Sequence, residues 1–400
     1  MKKILLLISS ITIVTLIIFF LALQNQSHAP KFKSITPISP LSQKKVPQSE
    51  VKIFFPTTLL KGEMPTYNDL KVYCNKLNPA IFQLCLEHFF TERADIKGFS
   101  KVQDELQAIS QNSNGLEGEC HTVGHYLGYW AFGKYGEQII PLIKDTCGFA
   151  TGHGAMESAG KILSHDKFIS IIGNFCLKSI NKTDCVHGLG HGLRLSNFNI
   201  QEMNLACTTI SNSMGSSDDG ITNYGTLCGE GWAMSDLNQN TTFWGKRPTP
   251  AQALNLCNKA TGYPQLGCNT IAFSDYVLSD TLFQKNLTSS IAKLPSYNQY
   301  CLTLKNNLPG SVAYCQSKIG YTLGSLLIGN YDTPLGIKVV KIGCGTDLNS
   351  PCLSTFLNSS QGLLINDQNF VNKFCKNFLP ENLNKCVTIA KENLPANLHK

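Results

Sequence analysis

The chain has 400 residues, 42% of them hydrophobic and only 15% charged, which is enough apolar material for a sizeable core or an extended repeat array and too much for general disorder. Its net charge of +7 is concentrated at one end. Of 34 basic and 27 acidic residues, eight lysines and the single acid Glu50 fall within residues 1–61, so the remainder carries 26 of each. A neutral body has no electrostatic footprint for a phosphate backbone, and nucleic acid is excluded as the expected partner.

Lys2 and Lys3 precede an uncharged, mostly apolar run from Ile4 to Leu23, softened only by Ser9, Ser10, Thr12 and Thr15. The run is long enough to span a bilayer. Around Leu21-Ala22-Leu23-Gln24 the small-x-small site of a cleaved signal peptide is poor, so residues 1–23 read as a signal anchor in preference to a cleaved signal peptide. Positive residues before the span place the body in the periplasm or extracellular space, anchored to the membrane, or secreted if cleavage occurs. Residues 24–66 are rich in Pro, Ser, Lys and Gln, with Pro30, Pro37, Pro40 and Pro47, and read as a flexible linker.

Residues 67–400 form the expected body, a cysteine-rich helical repeat domain with its histidine-rich part at 120–234. Sixteen cysteines occur without any Cys-x-x-Cys, which argues against four-thiolate zinc sites and for disulfides in an oxidising compartment. They fall in an orderly series, and sequential pairing is the simplest scheme: 74/85, 120/147, 176/185, 207/228, 257/268, 301/315, 344/352 and 375/386. The first member usually closes an amphipathic segment, as Cys176 does after Gly173-Asn174-Phe175, and the second opens the next. The pair 120/147 departs from this pattern, because Cys120 itself opens a histidine-bearing segment. The cysteines that open segments recur every 27 to 47 residues, a period that suits a pair of helices with two connections. Thr249-Pro250 looks like a cap and first-turn proline, and strand signals are few. The expected fold is therefore all-α, a disulfide-stapled array of helical hairpins, α-solenoid-like, after an N-terminal membrane anchor.

Gly124-His125-Tyr126-Leu127-Gly128-Tyr129 and Gly320-Tyr321-Thr322-Leu323-Gly324 partly match a Leu-Gly-x-x-Tyr packing signature. In this the body resembles the cysteine-stapled relatives of tetratricopeptide-type solenoids. The resemblance implies a stacked helical fold and carries almost no information on chemistry.

Five of nine histidines lie within 71 residues, each in a segment following a cysteine. His121/His125 and His187/His191 are i,i+4 pairs, and so is His153/Glu157, which places each pair on one face of a helix. Counted from the cysteine, His153 and His191 both fall six residues on, while His187 and Glu230 both fall two residues on, so the segments look like copies of one unit. Later copies lose these residues: Cys268 is followed by Asn269-Thr270-Ile271 and Cys315 by Gln316-Ser317-Lys318. Imidazole with carboxylate suits one or two transition-metal ions (iron, copper or zinc) and disfavours calcium and magnesium. His121, His125, His153, His187 and His191 are the expected ligands. Glu157 and Glu230 are the expected catalytic carboxylates, as ligand, orienter or general base.

Histidine can also recur in a helical repeat simply to cap or bridge a neighbouring hairpin, with the glycines permitting close packing. Three i,i+4 pairs weigh toward metal. The sequence has no phosphate loop, no Gly-x-Ser-x-Gly elbow and no His-Glu-x-x-His zinc-protease helix. Helical-repeat di-iron hydroxylases acting on deoxyhypusine also build a metal site from stacked hairpins, but use adjacent His-Glu pairs, absent here. The expected function is a membrane-tethered metalloenzyme, oxidoreductase slightly ahead of hydrolase. The alternatives are a scaffold that binds a protein or glycan, and a metal store or carrier.

Overall fold

The computed structural model describes residues 53–77, 81–112, 117–215, 223–238, 250–274, 287–304, 308, 310–327, 331–363 and 369–392. Residues 1–23, expected as a signal anchor, and most of the expected linker lie outside the described residues. No described helix is long and apolar enough to cross a membrane.

The described residues are helical, with no strand among them. The helices are α1 (Thr57–Lys61), α2 (Tyr67–Leu77), α3 (Phe82–Lys97), α4 (Phe99–Asn112), α5 (Glu117–Tyr135), a 3-10 helix (Gly136–Leu142), α6 (Ala150–Ile162), α7 (His165–Lys178), α8 (Lys182–Leu195) and α9 (Ile200–Met214). They continue with α10 (Tyr224–Asn238), α11 (Pro250–Cys257), α12 (Gly262–Ile271), α13 (Leu287–Thr303), α14 (Ser311–Leu326), α15 (Pro334–Cys344), α16 (Pro351–Leu363), α17 (Phe370–Phe378) and α18 (Leu383–Glu392). Local signals set several starts. Asn199 and Glu202 form a reciprocal capping box at α9, and Thr333 caps α15 just before Pro334. Both satisfy amides that a helix start leaves unpaired. Pro250 opens α11, as the first-turn proline signal requires.

The helices pack in two rows. One row runs α3, α5, α6, α8, α10, α12, α14, α16 and α18, each against the next, while α7, α9, α13, α15 and α17 pack on its outer side. Fully buried Phe89, Phe132, Phe168, Trp232, Phe356 and Phe374 fill the space between, each contributing about 1.5–3 kcal/mol by removal from water. All eight cysteine pairs form as the sequential scheme expects, with Cα–Cα distances of 5.1–5.7 Å and no free cysteine. Seven of them tie an outer helix, α2 or α11 to the next helix of the inner row. Cys120–Cys147 instead ties α5 to the turn before α6, as its departure from the sequence pattern foreshadowed.

Residues 53–66, expected as linker, belong to the packed body. Ile53 and Leu60 are buried, and the Arg93 guanidinium donates to the carbonyls of Leu59, Leu60 and Gly62 while chelating Glu105 at 2.7 and 2.9 Å. A buried guanidinium needs those acceptors, and they fix the chain leading into the first repeat.

Glycine determines how closely the inner row packs. A Cβ on Gly154 would sit 1.7 Å from the His125 carbonyl oxygen, and one on Gly231 would sit 1.9 Å from that of His187. Backbone therefore meets backbone across α5/α6 and across α8/α10. Histidines borne on these helices are brought into side-chain contact.

Candidate metal centre

The imidazoles of α5, α6 and α8 meet in one cluster. The ring centroids of His121 and His125 lie 4.8 Å apart, and those of His187 and His191 lie 4.9 Å apart. His153 stands at the centre, 5.7, 5.2, 5.3 and 5.4 Å from the rings of His121, His125, His187 and His191. Exposure is graded across the cluster. His121 is exposed and His125 partly buried, whereas His153 and His191 are buried at 4% and 7%. The cluster therefore has a mouth at His121 and a floor at His153 and His191.

Hydrogen bonds fix which ring nitrogens keep a lone pair. A carbonyl only accepts, so His153 donates Nε2–H to the Asp184 carbonyl at 3.0 Å, and His121 donates Nδ1–H to the Cys147 carbonyl at 2.9 Å. The lone pairs then fall on His153 Nδ1 and His121 Nε2. His153 Nδ1 is buried and has no hydrogen-bond partner. His125 Nδ1 faces Glu157 Oε1 at 3.4 Å, and a carboxylate favours the proton on the nitrogen it faces. With the proton there, the Nε2 lone pair of His125 is directed at His121 Nε2, 3.2 Å away; in the other tautomer His125 donates Nε2–H to that atom.

Two lone pairs at that separation repel unless a proton or a cation lies between them. The spacing matches the edge of a nitrogen tetrahedron around an ion at about 2.0–2.1 Å, roughly 3.3–3.4 Å. Ligand atoms of His121, His125 and His153 all lie within 4.8 Å of one another, so these three could hold a metal ion. Each has its other nitrogen facing a carbonyl or carboxylate, the usual arrangement behind metal-bound histidine. Burial is the main cause that lowers the pKa of His121, His153 and His191, the last two well below the usual value, and takes that of His187 down to about 4. Neighbouring histidines push all four in the same direction, with Glu230 opposing at His187. At neutral pH these rings are uncharged, the form that binds metal.

Glu157 lies between the two histidine pairs, its Oε1 3.4 Å from His125 Nδ1 and 3.5 Å from His191 Nδ1. His191 Nδ1 is also hydrogen bonded to Ser235 Oγ on α10. Glu230 stands one helix further on, 3.9 Å from His187 Nδ1. Lys318 Nζ donates to the Glu230 carboxylate at 3.0 Å, and the Thr270 hydroxyl lies 3.2 Å away, its single proton shared with the Gly267 carbonyl at 2.8 Å. Lys318, Thr270 and Ser235 escaped sequence reasoning. For Thr270 the signal was present: it falls two residues after its cysteine, the place held by His187 and Glu230 in their copies. Lys318 and Ser235 had no such signal.

Trp232 donates Nε1–H to the Phe198 carbonyl within the core. His165 bridges to the Ser196 carbonyl at 2.5 Å, the capping role that any repeat histidine can fill. Fold and site together define an all-helical, disulfide-braced protein carrying a partly buried imidazole cluster, three of whose rings could hold a metal ion. No protein-family model, no curated protein and no solved structure matches the chain.

Proposed function

We propose that the chain is an extracytoplasmic, membrane-tethered metalloenzyme whose His121, His125 and His153 bind a transition-metal ion within a disulfide-stapled, α-solenoid-like array of the tetratricopeptide-related kind. Eight disulfides support the oxidising compartment, and the apolar run at 4–23 supports the tether. The observation that carries the metal is the buried, unpartnered Nδ1 of His153, aimed among imidazoles whose protons are held elsewhere. Leaving such a lone pair bare costs about 1–3 kcal/mol, a penalty that an ion removes.

An ion with an open position would supply Lewis-acid or redox chemistry, and an imidazole-rich set favours redox slightly over hydrolysis. The protein's own groups do the rest. The exposed His121 edge admits substrate, buried His153 and His191 exclude water from the floor, and Glu157 orients His125 and His191 and can hold a proton beside them.

The test is elemental analysis of the full chain purified from an oxidising compartment, beside His153→Leu. Stoichiometric iron, copper or zinc is expected, with affinity at least about ten-fold weaker in the variant. The metal-free variant should keep its stability within about 1 kcal/mol, because the lost Asp184 bond is offset by removal of the orphaned lone pair. Absence of metal from both proteins after reconstitution would refute the proposal and leave a scaffold in which histidine serves packing.

A further inference from the structure

The His121, His125 and His153 group leaves two imidazoles of the cluster unused. His187 and His191 repeat on α8 what His121 and His125 do on α5: two rings one turn apart, at 4.9 against 4.8 Å. Both pairs stand at near-equal distances from the ring of His153, and Glu157 Oε1 stands between His125 and His191 at 3.4 and 3.5 Å. Donors on the α8 side therefore mirror those on the α5 side across α6.

Hydrogen bonding in the second pair is incomplete. His191 is only 7% exposed and its Nδ1 is bonded to Ser235, while its Nε2 has no hydrogen-bond partner among the described residues. His187 forms no hydrogen bond through either nitrogen among the described residues, and Glu230 Oε2 at 3.9 Å from its Nδ1 is beyond reach. His187, with a side chain 16% exposed, thus keeps both nitrogens unbonded to described residues, and His191 keeps one. His153 cannot serve this pair as well, because its Nε2–H is committed to Asp184 and only Nδ1 is left for one ligand. Glu230 is already neutralised by Lys318.

The geometry points to a second transition-metal ion, held by His187 and His191 beside the first, so that the centre is dinuclear. This rests on the metal reading of the cluster. Two imidazoles with the remaining positions open to water or substrate bind more weakly than three, so the second ion loads after the first. Adjacent ions suit a substrate that offers two oxygens to bind at once, or a reaction that moves two electrons.

The test is a Co2+ titration of the full-length protein with metal counted by elemental analysis, alongside His187→Ala/His191→Ala and His121→Ala/His125→Ala. About two ions per chain are expected in the native protein and about one in each variant, the histidine donors matching imidazole-binding metals. A single ion in the native protein, or native stoichiometry in the His187→Ala/His191→Ala variant, overturns the second ion and leaves the first. No ion in any of the three overturns the metal reading itself. Electron paramagnetic resonance of the native protein saturated with Cu2+ decides the question without variants: a dipolar-coupled copper pair is expected, and the spectrum of isolated copper overturns the proposal.

Discussion

Gly154→Ala tests whether the close approach of α5 and α6 builds the centre. The added Cβ would lie 1.7 Å from the His125 carbonyl oxygen, 2.6 Å from its carbon and 2.8 Å from the Tyr129 nitrogen. All three are backbone atoms, so no side chain can swing aside. Restoring ordinary contact requires the two helices to separate by roughly 1.5 Å, several times the tolerance of about 0.2 Å in metal–ligand distances. Overpacking of this kind costs about 1–3 kcal/mol or more, against a gain of roughly 1 kcal/mol for replacing a helical glycine by alanine. The net expectation is a loss of up to about 2 kcal/mol together with failure to bind metal. Gly173 on α7 is the control, because nothing lies within 4 Å of a Cβ built there. Gly173→Ala should keep the propensity gain, about 0.5–1 kcal/mol of added stability, and bind metal normally. Urea unfolding with disulfides intact, paired with Co2+ affinity, reads both. Equal shifts in the same direction for the two substitutions would refute the reasoning.

Two further expectations concern charge. Burial lowers the imidazoles of His153 and His191 well below the usual 6.5 and that of His187 to about 4, so between those values the unfolded chain binds protons that the folded chain does not. Metal-free stability should therefore be full above about pH 6.5 and fall as the pH drops toward 4. His187 alone, brought down to about 4, accounts for at most about 3 kcal/mol of that loss at about 1.4 kcal/mol per pH unit, reduced because its side chain stays 16% exposed. Urea midpoints of the metal-free protein at pH 7.5 and 4.5 measure the fall, and a flat profile would show that these rings do not share a buried cluster. Lys318→Met leaves the nearly inaccessible Glu230 carboxylate with Thr270 as its remaining partner. Breaking a buried pair on one side costs about 3–5 kcal/mol, and the 30% exposure of the lysine side chain puts the expectation nearer 2–3 kcal/mol. Adding Glu230→Gln should recover most of it in a double-mutant cycle, whereas additive losses would mean that the pair is not coupled.

Much of this protein is decided within short stretches of chain. The pairing of Cys176 with Cys185, or Cys344 with Cys352, closes loops of nine and eight residues in separation, so spacing alone nearly dictates it. The same holds for the i,i+4 placement of His121/His125, His153/Glu157 and His187/His191, which follows from helical period once the segments are helical. Helix-start signals at Pro250 and Thr333 are equally local. Residues 53–66 read as linker because they continue a Pro-, Ser- and Lys-rich tract and carry Pro56 and Pro65 without a sustained apolar period; burial of Ile53 and Leu60 and the carbonyl demand of Arg93, more than 30 residues away, draw them into the body.

What tertiary structure alone decides is how those local units face one another. Nothing in the spacing of the histidines says that His153 is central, because that depends on how closely α6 approaches α5 and α8, set by glycine contacts between helices far apart in sequence. The protonation pattern is likewise a tertiary property. His153 keeps a bare Nδ1 because its Nε2 meets the carbonyl of Asp184, 31 residues on, and Glu230 pairs with Lys318 across 88 residues. Sequence thus supplies the donors and the staples, which are fixed by separations of a few residues. The lone pairs that could hold a metal are oriented by backbone carbonyls, and carbonyls occur at every position of a chain and leave no mark in its sequence.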